Sequence, residues 1–110
     1  MSERKESDYL EDIREALVRI LEYTDGMVYE SFIKDHKSQD AVVRNFEIIG
    51  EAVKNISDQY KNDHPEIPWK SMAGMRDKLI HHYFGVNFDV VWGVIKNDLR
   101  KVLNEIQALL

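Results

Sequence analysis

Apolar residues recur at three- and four-residue steps along most of this chain. Between Asp8 and Thr24 the repeating positions are Leu10, Ile13, Leu17, Ile20 and Leu21, which puts one apolar stripe on a helix. Ser7 or Asp8 is placed to cap its free N–H groups, and Asp25-Gly26 ends it. A short helical turn is expected over about 28–34, where Tyr29, Phe32 and Ile33 are apolar. His36-Lys37-Ser38 then reads as a loop, with Ser38 the N-cap of a long helix reaching about Asn62. The stripe of that helix is Val42, Phe46, Ile49, Val53, Ile56 and Tyr60, the seam of a helix packed lengthwise in a bundle. Gly50 inside it costs roughly 1 kcal/mol relative to Ala and points to the close approach of another helix.

Residues 62–68, with both prolines of the chain, form the one Pro-rich connector. Pro68 suits the first position of the next helix, which is expected from about Trp69 to His82 or Tyr83, where Gly85 stops it. Asn87 or Asp89 caps a last helix to about Ala108, striped by Val91, Val94, Ile95, Leu99, Val102, Leu103 and Ile106. Period-two alternation is absent over any useful length, so no strand is expected. The pattern therefore predicts an all-α fold, a four- or five-helix bundle, with residues 1–7 a tail and 8–110 one domain.

A chain of 110 residues has room for one core. The absence of cysteine excludes a disulfide scaffold, a thiol nucleophile and any Cys-ligated metal site, and it suits a reducing cytoplasm. No apolar run is long enough to span a membrane, and the charged N-terminus does not read as a signal peptide. A cytoplasmic protein is the expectation. The net charge of −5 gives no long-range attraction to nucleic acid, so any role on RNA or DNA needs a local site.

The unusual stretch is Arg76-Asp77-Lys78-Leu79-Ile80-His81-His82-Tyr83-Phe84-Gly85. Arginine offers a permanent positive charge with a planar donor fork suited to phosphate. Histidine titrates near neutrality and moves protons. A tyrosine hydroxyl donates a hydrogen bond or acts as a nucleophile. Together these are the groups a metal-free phosphodiesterase needs. Arg76 and Tyr83, seven apart, share a helix face, whereas Arg76 and His81 diverge by about 140°. One straight helix does not aim both at a single phosphorus. Either the helix unwinds near His81 or a second copy of the chain completes the site, which predicts a dimer with active centres at its interface.

Each residue also has a plain reading. Arg76 can snorkel beside the apolar edge of Ala73 and Ile80. His81 and His82 can sit at a helix C-terminus, where positive charge suits the dipole. Tyr83 can pack its ring and turn its hydroxyl to water. Asp77 and His81 share a helix face and Glu51 could approach from another helix, but without a second His at the same spacing this falls short of a metal site. Glu51 or Asp77 can instead orient the Arg76–His81 pair. Trp69 and Trp92 read as packing residues, and His36 and His64 as loop residues without a specific role.

Arg76, His81 and Tyr83 match the R-x4-H-x-Y motif, and with it the chain resembles the HepT-like branch of the HEPN superfamily. The resemblance extends through Arg44-Asn45-Phe46-Glu47-Ile48-Ile49-Gly50-Glu51-Ala52, Ile67-Pro68-Trp69, Gly74-Met75-Arg76-Asp77 and Tyr83-Phe84-Gly85-Val86 followed by Val91-Trp92. It implies a HEPN-like up-and-down helical bundle, homodimeric, acting as a ribonuclease toxin on RNA without a metal or other cofactor. It further implies a partner, a nucleotidyltransferase antitoxin of the MntA type. The motif's Arg and His, here Arg76 and His81, are the implied catalytic pair, and its Tyr, here Tyr83, is the residue the antitoxin adenylylates. The alternative is a non-catalytic helical subunit that presents a substrate, or Tyr83 itself, to a minimal nucleotidyltransferase.

Overall fold

The computed structural model describes residues 4–81 and 87–110, and the side chains at 76–81 lie outside that description. Seven helices occur among the described residues: α1 Glu6–Tyr23, α2 Tyr29–Phe32, α3 His36–Asn55, α4 Asp58–Asp63, α5 Trp69–His81, α6 Phe88–Asn97 and α7 Leu99–Ala108. No strand is present among them, as the missing period-two alternation predicts. The long elements α1, α3, α5 and the α6–α7 pair make the expected helical bundle, while α2 and α4 are single short turns.

The predicted stripes are the core. Leu10, Ile13, Leu17 and Ile20 of α1, Val42, Phe46, Ile49 and Val53 of α3, and Val91, Ile95, Leu99, Leu103 and Ile106 of α6 and α7 join one buried cluster. Helix α3 packs against both α1 and α5, and α7 covers the other side of α1. Gly50 is buried on α3, the helix flanked on two sides.

Several boundaries differ from the sequence expectation, each through a specific hydrogen bond. Helix α1 begins at Glu6, not Asp8, because the Asp8 carboxylate reaches back and accepts the Lys5 backbone N–H at 2.8 Å. Arg4 is tied down as well, paired with Asp12 at 2.8 Å. Gly26 takes φ 73° just past α1, a conformation that costs other residues roughly 1–2 kcal/mol. Helix α3 starts at His36 rather than Ser38: Asp35 is the cap, accepting the Ser38 N–H at 3.1 Å and its hydroxyl at 2.7 Å. His36 is thus helical and not in a loop.

The long helix expected to Asn62 is two helices. Ile56 turns to extended geometry (φ −80°, ψ 137°). Ser57 then caps α4 by accepting the Tyr60 N–H at 3.1 Å, while its own N–H donates to Glu6 of α1 at 3.2 Å. That contact holds the Glu6 carboxyl below its ordinary value. The last helix is likewise divided, at Asp98. The bonds Asp98 N–H to Val94 and Val102 N–H to Asp98 continue on either side, so the apolar stripe runs through the kink.

Two buried amides fall between the stripes. Gln39 Nε2 donates to the Phe32 carbonyl at 2.9 Å and fastens α2 to α3. Asn45 Nδ2 donates to the Ala41 carbonyl at 2.8 Å. Phe32, fully buried, meets Trp92 at 5.0 Å and Phe88 at 5.8 Å, which locks α2 against α6.

Candidate active site

The candidate residues sit on α5 and just beyond it, so the entry to α5 decides where they go. Pro68 immediately precedes the helix, and its carbonyl accepts the Met72 N–H at 3.0 Å. Proline has no N–H to lose at this position. Trp69 is 7% exposed, and its indole N–H donates to the His64 carbonyl at 2.9 Å. The Tyr60 ring meets Trp69 edge-on at 6.3 Å and His64 at 4.5 Å, and His64 Nδ1 lies 3.4 Å from Glu66. His64 therefore has a structural role. Burial pushes the Tyr60 hydroxyl pKa up, and the charges of Glu6 and Glu66 push it further.

From this anchored first turn the helix runs without a break to His81. Met72, Ala73 and Met75 pack against the core. At about 100° per residue, Arg76 lies in register with Trp69, two turns on. His81 is about 140° around and about 7.5 Å further along the axis. The backbone thus does not unwind between Arg76 and His81. Asp77 shares the His81 side, and so does Gly74, three residues before Asp77. A Cβ built at Gly74 meets nothing within 4 Å. The backbone at Gly74 therefore has room for a methyl group, and nothing among the described residues requires glycine there.

Glu51 is exposed on α3, the helix packed against α5. The side chains of Arg76, Asp77 and His81, and all of His82 and Tyr83, lie outside the described residues. The orienting role expected of Glu51 and Asp77 therefore lies outside the described residues. Among the described residues no group of three His, Cys, Asp or Glu gathers to hold a metal, and no helix is long and apolar enough to cross a membrane.

Trp92, half-buried, is the other packing tryptophan, with Lys96 Nζ 4.6 Å above its ring. The apolar pattern does not mark Asn45 of α3 for burial. It is 3% exposed and its Oδ1 has no hydrogen-bond partner. The available signal was a polar residue between the buried positions Val42 and Ile49.

The model of the Ribonuclease HepT-like family matches residues 13–109, from within α1 to the end of α7. The chain belongs to the HepT-like ribonuclease family. Similar proteins bear matching names. The "Probable ribonuclease HepT" of Thermococcus cleftensis is 51% identical over 106 residues, covering 96% of each chain. A "Putative RNase" of Methanocaldococcus jannaschii is 44% identical over 102 residues, 93% of this chain and 84% of its own. Another of Caldanaerobacter subterraneus subsp. tengcongensis is 42% identical over 102 residues, 93% of this chain and 91% of its own. No solved structure matches the chain. The family span includes Arg76, His81 and Tyr83.

Proposed function

We propose that this chain is a metal-independent endoribonuclease, the toxin of a HepT/MntA-type toxin–antitoxin pair. The family match over 13–109 carries this reading. In it, His81 removes the proton from a ribose 2′-OH. The 2′ oxygen attacks the adjacent phosphorus, the bond to the 5′ oxygen breaks, and Arg76 stabilises the charge gathering on the phosphoryl oxygens. The products are a 2′,3′-cyclic phosphate and, once the leaving oxygen is protonated, a 5′-OH. DNA lacks the attacking group and survives.

The active species in this reading is a homodimer whose partner copy closes on the Gly74–Asp77–His81 side of α5. Two features support it: the 140° divergence on an unbroken helix and the open space at Gly74. The antitoxin silences the enzyme by adenylylating the Tyr83 hydroxyl. Tyr83 follows Arg76 by seven residues, so the added phosphodiester brings a negative charge toward the proposed phosphate site, where Arg76 can bind it.

The test is cleavage of labelled RNA in EDTA by the wild-type chain, Arg76→Ala and His81→Ala. The reading requires cleavage by the wild type and a loss of about a hundredfold or more in each variant. The net charge of −5 favours a second reading, a non-catalytic partner subunit of a nucleotidyltransferase. Intact RNA with the wild type, together with adenylylation of Tyr83 by that partner and ATP, establishes it instead. Activity that needs a divalent metal overturns the metal-independent mechanism.

A further inference from the structure

We propose that the space between α5 and α7 is a binding site for a small organic cation, a primary ammonium group carried on a compact apolar body. This inference does not rest on the proposed ribonuclease chemistry.

The two helices flank α1 and α3 and leave a cavity of about 360 Å³ between them, within the range of small-molecule sites. Its walls are apolar: Phe46 and Ile49 from α3, Met72 and Met75 from α5, Val94 from α6 and Val102 from α7. The two methionines can adapt to the shape of an occupant, since thioether side chains are unbranched and polarizable.

The polar lining is one-sided in charge. Among the described lining residues, Glu66, Asp98 and Glu105 contribute carboxylates and Lys101 an ammonium, with Glu66 already beside His64 Nδ1 at 3.4 Å, so an anion such as a phosphate is disfavoured. Glu105 Oε2 is shut away from solvent and has no hydrogen-bond partner among the described residues. That oxygen can accept a hydrogen bond, and an ammonium is the donor that also balances the charge. The apolar lining selects the rest of the ligand. An amine with a phenyl or short alkyl body fills the space between Phe46, Met72 and Met75 while its nitrogen meets Glu105.

The experiment titrates the full chain with 2-phenylethylamine, 2-phenylethanol and 3-phenylpropanoate at neutral pH, following backbone amide resonances. The amine is expected to saturate and to shift the amides of Ser71, Met75, Val102 and Glu105. The alcohol should bind at least about tenfold more weakly, and the carboxylate not at all. Glu105→Gln, which keeps the shape and removes the charge, should weaken the amine about tenfold or more. Lys101→Met should tighten it, and its binding also shows that a substituted rim leaves the cavity formed. Three results overturn the proposal: no saturation by the amine up to about 10 mM, equal binding of alcohol and amine, or unchanged affinity in Glu105→Gln. In the first case the cavity holds water only.

Discussion

Gly74→Ala separates what the fold needs from what the site needs. Gly74 lies inside α5 with an ordinary negative φ, since Gly26 alone among the described glycines has a positive one. Among the described residues nothing lies within 4 Å of a methyl group at this position. Alanine should therefore stabilise the chain by about 0.4–1 kcal/mol through helix propensity and the loss of unfolded-state freedom. An unfolding entropy of about 2.1 cal/mol/K per residue amounts to about 0.23 kcal/mol/K for this chain. The gain then appears as a rise in Tm of about 2–4 °C in a thermal melt followed by circular dichroism. Cleavage should move the other way. The methyl group stands on the side of α5 shared by Asp77 and His81, where RNA or a second copy must approach, and a tenfold or greater loss of rate is expected. Gly93→Ala on α6 is the control, because its Cβ also meets nothing within 4 Å. It should give the same rise in Tm with cleavage unchanged. A fall in Tm for Gly74→Ala refutes the open geometry. A rise in Tm with full cleavage refutes the use of that side of α5.

Arg76→Ala should lower RNA cleavage by about 10²–10³ and His81→Ala by about 10²–10⁴ with Tm nearly unchanged, whereas a dead His82→Ala beside an active His81→Ala shows that the register is wrong. Trp69→Phe removes the bond to the His64 carbonyl and part of a buried ring, so chemical denaturation should show a loss of about 1–2 kcal/mol, and no loss means that Trp69 does not anchor α5. Glu6 and Asp35 have carboxyl pKa values below their ordinary 4.5 and 3.8, mainly through hydrogen bonds from Ser57 and Ser38. Their stabilising contribution is therefore complete above those ordinary values and is lost as pH falls through the folded-state pKa. Glu6→Gln should flatten the acid limb of a stability–pH curve, and an unchanged limb refutes the Glu6–Ser57 contribution. Light scattering at micromolar concentration should give about twice 13.0 kDa, and a monomer that still cleaves RNA removes the shared-site reading.

The sequence by itself determined the helical class, the core and the location of the candidate chemistry. Leu10, Ile13, Leu17 and Ile20, or Val42, Phe46, Ile49 and Val53, read as core because burial of one helix side requires apolar residues at a period near 3.6. The cap at Asn87 was equally legible, since its side chain accepts the N–H groups of Asp89 and Val90 two and three residues on. Interruptions were not. The stripe passes through Ile56 and Asp98 unaltered, because the residues beyond each break still face the same core. The division of α3 from α4 is fixed in part by Glu6, 51 residues away from Ser57 in the chain, and no local pattern carries such a contact. The same holds for the site. The order Arg76, His81, Tyr83 is a property of the sequence, but the unbroken run of α5, the anchoring of Trp69 on the His64 carbonyl and the open space beside Gly74 depend on how the other helices pack. Tertiary structure alone decided those, because each depends on which surfaces of α5 the rest of the chain covers.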